Sequence, residues 1–106
     1  MAFVSLLPHA VSIVLSSGEQ MTIEPSGSVA RCSQRDEFVQ ELDGVRITRQ
    51  VLGDATGLPP RQEGVFFIVS RLVASAAPDR DDLLIPGPLV RDEKGVVIGC
   101  RGLSVL

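Results

Sequence analysis

Val65-Phe66-Phe67-Ile68-Val69 is apolar at every position. Such a run predicts a strand covered on both faces, and so a fold with material above and below it. The chain has little to spend on that cover. Its 106 residues make room for one domain, spanning 1–106, which should bury roughly two-thirds of the surface exposed by the unfolded chain. Hydrophobic residues make up 44%, but the aromatics are four Phe with no Trp and no Tyr, so the core must be mostly Val, Leu and Ile. A mean hydropathy of +0.27 is high for so small a chain. Part of the apolar surface is expected to be covered by another copy, which makes a homo-oligomer the expectation.

The remaining pattern is dominated by strands. Val11, Ile13 and Leu15 alternate with Ser12 and Val14, Ser16-Ser17-Gly18-Glu19 supplies a turn, and Met21 and Ile23 resume the alternation, which predicts a hairpin. Pro25-Ser26-Gly27 breaks the chain, and Val29 to Ser33 reads as a short third strand. Gln34 to Leu42 is charged and weakly patterned, and Phe38 and Leu42 fit either a helical face or a strand. Asp43-Gly44 is a strong turn signal. Val45 to Leu52 then places Val45, Ile47, Arg49 and Val51 on one face. Gly53 to Gly64 is expected to be a long loop. Ser70 is placed to cap a short helix over Arg71 to Ala77, with Leu72, Val73 and Ala76 on its buried side, and Pro78 ends it. Leu83-Leu84-Ile85 is apolar, and Leu89 to Arg91 and Val96 to Leu103 flank a hairpin turn at Asp92–Gly95. The expected fold is mainly β (β-rich α+β), a small barrel or rolled antiparallel sheet with one short helix.

The net charge of −3 and a pI of about 5.0, without basic runs, argue against a nucleic-acid groove, which relies on clustered Lys and Arg. Met1 to Leu15 is apolar but lacks a basic flank and is interrupted by Pro8-His9. It suits neither a membrane span nor a signal peptide, so it reads as the first strand of the core and no membrane partner is expected. Cys32 and Cys100 lack zinc-ligand spacing and sit in apolar strand-like runs, which suits free core thiols and a cytoplasmic setting. No cofactor or resident metal is implied.

The basic residues are almost all arginine, with Lys94 the only lysine. Arg presents a planar fork that matches phosphate and carboxylate. Arg31 and Arg49 lie on strands, where a buried guanidinium needs a carboxylate, solvent or an anionic ligand. Asp79, Asp81 and Asp82 are the natural internal partners. Asp79-Arg80-Asp81-Asp82 follows a helix C-terminus, where negative charge is disfavoured, so it wants a compensating cation or a ligand's hydroxyls. The turn at Ser26 can present backbone N–H groups to a phosphate. His9, the only histidine, is a candidate base or ligand-binding imidazole beside its ordinary structural role. No nucleophile elbow or Cys–His signature frames a catalytic residue.

Read together, Leu7-Pro8-His9, Pro25-Ser26-Gly27-Ser28-Val29-Ala30-Arg31, Gly57-Leu58-Pro59, Ile68-Val69-Ser70, Val73-Ala74, Pro78-Asp79-Arg80-Asp81-Asp82 and Arg91-Asp92-Glu93-Lys94-Gly95 form a pattern over nearly the whole chain. It resembles a family of short hypothetical proteins found in bacteriophages, prophages and some bacteria. Members often carry Thr before the Pro-His pair, where this chain has Leu7. The resemblance implies a setting, the bacterial host cell, rather than a reaction. With the Arg-rich composition and the Arg/Asp cluster, it leads to the expectation of a phage-type accessory protein. Such a protein would sequester a small anionic ligand, a nucleotide-derived immune signal, through His9, Ser26, Arg31, Arg49, Arg80, Asp81 and Asp82, without catalysis. The alternatives are a structural or interaction protein acting through oligomerisation or host-protein binding, and a small nucleotide hydrolase using His9 and an aspartate.

Overall fold

The computed structural model describes residues 2–106; Met1, the first residue of the N-terminal apolar stretch, lies outside them. The rest of that stretch forms two strands rather than one, β1 (Ala2–Ser5) and β2 (Val11–Val14), with Pro8-His9 in the bend between them. The chain continues through β3 (Gln20–Ile23), β4 (Arg31–Leu42), β5 (Val45–Thr56), β6 (Val65–Ile68), α1 (Arg71–Ala76), β7 (Leu83–Pro86), β8 (Leu89–Arg91), β9 (Val97–Cys100) and β10 (Leu103–Ser104). The fold is mainly β with one short helix. The expected rolled antiparallel sheet takes a mixed form: β1, β6 and β7 run parallel, with β10 antiparallel at the edge. A second sheet has the order β3-β2-β9-β8, and β4 and β5 pair only with each other. Among the described residues no sheet closes into a barrel.

The all-apolar run organises the molecule as its composition requires. It becomes β6, an interior strand between β1 and β7. Phe67 and Val69 point into one core with Leu6, Val73, Ala74, Leu83 and Ile85. Ile68 points the opposite way, into a second core with Leu7, Val11, Ile13 and Cys100. One strand thus supplies both sides of the fold, by the simple alternation of side chains along it. Leu7 is 7% exposed and belongs to the second core. Cys32 and Cys100 are free thiols, half-buried and buried.

Helix α1 starts where expected, with the Ser70 hydroxyl accepting a bond from the Val73 N–H at 3.3 Å. Its buried side, however, is Val73 and Ala74, continued by Ala77 just past its end, while Leu72 is exposed and Ala76 half-buried. Residues three and four beyond the cap share its inward face, and 72 and 76 do not. No helix among the described residues is long and apolar enough to cross a membrane.

Three expectations about the middle of the chain need correction together. Residues 31–42 form one continuous strand, so neither the short strand over Val29–Ser33 nor the helical option for Gln34–Leu42 holds. Asp43 and Gly44 have φ of 50° and 80°, the mirror-type turn that matches strand twist. This locks Leu42 opposite Val45. The strand after it does not end at Gly53 but runs to Thr56. Gly53 lies at a register shift facing Ser33, where a Cβ would strike the Ser33 hydroxyl. The glycine permits that close approach; it does not break the strand.

Candidate functional site

The β4–β5 hairpin is the least compact part of the molecule. Each strand has 12 residues, and only the base packs, with Cys32 and Ala55 against the first core. From Arg35–Val51 to the tip, the arm reaches about 23 Å at strand rise. The radius of gyration is 16.6 Å and the extents are 52 × 40 × 21 Å, against a radius of roughly 13 Å for a compact chain of this length. Phe38, Val39, Leu42 and Val45 are exposed, Val45 by 62%. Among the described residues, no backbone bond to another element engages residues 33–55, so both edges are open.

Cross-strand partners share a face, which sorts the arm's side chains. Leu42/Val45, Gln40/Ile47, Glu37/Arg49 and Arg35/Val51 lie on one face; Glu41/Arg46, Phe38/Thr48 and Asp36/Gln50 lie on the other. The Arg46 guanidinium carbon stands 5.2 Å from the centre of the Phe38 ring. Arg49 does share a face with Val45, Ile47 and Val51, as its spacing implies. That face is open to solvent, so Arg49 is not forced into an ion pair by burial. Val39 is the extra residue of a bulge on β4, whereas β5 is regular from Val45 to Leu52.

The Arg/Asp cluster is mostly satisfied internally. Arg80 clamps Asp82 with two bonds, Nε to Oδ1 and Nη2 to Oδ2, each 2.8 Å. The two side chains are only 16% and 9% exposed. The hydrogen bonds from Arg80 hold the Asp82 carboxyl below the usual carboxylate range, against the opposing effect of burial. The same pairing raises Arg80. The Asp82 main-chain carbonyl accepts from Phe67 N–H at 2.9 Å, so the clasp fixes the chain beside β6. Asp81 turns outward and pairs with Arg61 at 2.6 Å, with both side chains well exposed.

The remaining sequence-predicted residues lie elsewhere. The Ser26 hydroxyl donates to the Ser5 carbonyl at 2.5 Å, and the Ser28 N–H turns back to Ser26 at 3.4 Å. The turn thus fastens β1 with groups that a phosphate would need. His9 is exposed, with Nδ1 3.0 Å from the Ala10 carbonyl. It edges a largely apolar cleft of about 340 Å³ with Ser12, Pro86, Leu89, Ile98 and Cys100, which no carboxylate lines. Arg31 edges a different, shallow cleft with Leu7, Pro8, Ala30 and Ser70. The structure therefore joins Arg80 to Asp82, with Asp81 beside them, and leaves His9, Ser26, Arg31 and Arg49 at separate places. Among the described residues no cluster of His, Cys, Asp and Glu is arranged to hold a metal ion.

Compared with protein-family models, curated proteins and solved structures, the chain matches none. The arm itself escaped the sequence reading, although its signal was present. Asp43-Gly44 between two strand-compatible runs specifies a tight hairpin; what the sequence did not reveal was that nothing would cover it.

Proposed function

We propose that the protein acts by association, as a structural or interaction protein whose β4–β5 arm is the docking element. One observation carries this reading: an arm of about 23 Å with open edges and exposed Phe38, Val39, Leu42 and Val45. A two-stranded hairpin is marginal in water unless other strands or a packed face support it. Natural proteins also protect long free edges rather than leave them bare. Replacing residues 36–50 by Asn-Gly joins Arg35 to Val51, which already face each other, and should leave the body folded. Sedimentation is expected to show an assembly, of this chain alone or with a stoichiometric partner, that the shortened variant loses. An assembly state indifferent to the arm overturns the proposal.

A second reading is sequestration of a small anionic ligand by a phage-type accessory protein. It is supported by Arg31, exposed and in no ion pair among the described residues, at the rim of the Leu7–Pro8–Ser70 cleft. Calorimetry against cyclic and ADP-ribose-type nucleotides tests it. Binding abolished by Arg31→Ala supports it, and silence across the panel removes it.

A further inference from the structure

We propose that the occupant of the arm is a second copy of this chain, joined antiparallel along the β5 edge about a two-fold axis at Thr48. The inference rests on the association reading and specifies its partner and register.

The two open edges differ. The β4 edge carries a bulge at Val39 in the middle of the arm, and bulges disrupt further pairing. Its charges also disfavour self-pairing about any residue from Arg35 to Phe38. In a two-fold antiparallel pair, residues facing each other share a face. Centres at Arg35, Asp36 or Glu37 set a charge against its own copy. A centre at Phe38, allowing for the bulge, opposes Asp36 to Glu41. Like charges directly opposite are destabilising.

The β5 edge has neither fault. Thr48 is the centre of the regular run Val45–Val51. Pairing about it sets Thr48 against Thr48 of the second copy, Ile47 against Arg49, Arg46 against Gln50 and Val45 against Val51. No two like charges face each other, and Arg49 keeps Glu37 as its neighbour across its own hairpin. One face of the resulting sheet sets Val45 against Val51 at both ends of the contact, with Ile47 beside Arg49 between them. Cross-strand pairs of β-branched residues contribute favourably there. The order becomes β4-β5-β5-β4, turning two marginal ribbons into a four-stranded sheet. A self-matching strand gives an isologous, closed interface, the geometry of a dimer rather than a filament.

Thr48→Cys, in a Cys32→Ser background, places two thiols across the axis at about 4.5–5.5 Å between Cα atoms, within disulfide range. Mild oxidation is expected to give a cross-linked dimer of two 11.3 kDa chains, while Asp36→Cys on the outer edge of β4 gives none. Thr48→Lys opposes two positive charges on the axis and should shift the native dimer to monomer mass in sedimentation, with an unchanged circular dichroism spectrum. A monomeric wild-type protein, cross-linking through Asp36→Cys but not Thr48→Cys, or a dimer unaffected by Thr48→Lys overturns the inference. If that unaffected dimer is lost when residues 36–50 are removed, the association reading stands and only the register falls. If it survives the removal, both fall.

Discussion

Replacing Arg80 by alanine leaves the Asp82 carboxylate, 9% exposed, with neither of the two donors at 2.8 Å that now satisfy it. Removing one partner of a buried ion pair costs about 3–5 kcal/mol, because the remaining charge stays desolvated. The Arg80 side chain is 16% exposed, so water can approach the vacated space and the lower end, about 3 kcal/mol, applies. For a domain of this size, that is a fall in Tm of roughly 12–20 °C. The pH dependence supplies a second signature. Asp82 has a folded pKa below its ordinary value, so its pairing contributes stability above an unfolded pKa of about 3.9. That contribution is lost as pH falls through the lowered folded value. In Arg80→Ala the carboxyl is no longer held low, so the gap between the two proteins is fully present at neutral pH and narrows in acid. Urea unfolding of both proteins from pH 7 to pH 3 measures it. A loss below about 1 kcal/mol, the value of an exposed pair, or a gap that does not narrow in acid, refutes a buried clasp.

Other perturbations test the frame. Phe67→Ala removes the largest buried side chain of the first core, 2% exposed, and should cost about 3–5 kcal/mol in denaturant unfolding. Ser70→Ala removes the bond to the Val73 N–H and should cost about 1 kcal/mol by the same measurement. Gly57→Ala must place a Cβ 2.7 Å from the Val29 carbonyl at a φ of +83°; a loss exceeding about 1 kcal/mol is expected. Phe38→Ala, on a ring 56% exposed, should change the stability of the isolated chain by no more than about 0.5 kcal/mol, read by dilute thermal unfolding.

What could be read from the sequence was whatever local chemistry decides. The run Val65–Val69 reveals an interior strand because every residue in it must leave water, and Ser70 reveals a cap because its hydroxyl reaches the third amide beyond it. The hairpins at Ser16–Glu19 and Asp92–Gly95 follow from alternation and turn residues. The parallel pairing of β1 with β6 was not legible, because it joins Ala2–Ser5 to Val65–Ile68 and no local signal spans that distance. Gly53 misled for a related reason. The same residue ends a strand in one setting and permits a close crossing in another, and only the position of Ser33 decides. At the candidate site, the pairing of Arg80 with Asp82 was foreseeable from proximity in the chain. The openness of the arm was not, since alternating and charged residues describe a half-covered strand and a bare one equally well.

The placement of arginine connects the two functional readings. Arg31, Arg35, Arg46 and Arg49 all stand on β4 and β5, close to half of the chain's arginines, and none belongs to an ion pair among the described residues. An excess of arginine over lysine in the sequence suggests an anion site, because the planar fork recognises phosphate and carboxylate. On this arm the same planarity serves another purpose: Arg46 lies over the Phe38 ring at 5.2 Å, a stacking that the compact ammonium of lysine performs less well. Arg35 and Arg49 are interleaved with Asp36, Glu37 and Glu41, so the arm carries both signs rather than a single positive field. A mixed surface of that kind favours one register over others when strands meet, by penalising every alignment that opposes like charges. If the arm pairs with a second copy as proposed, its arginines serve to fix how the two chains align, a use that the small-ligand reading does not give them.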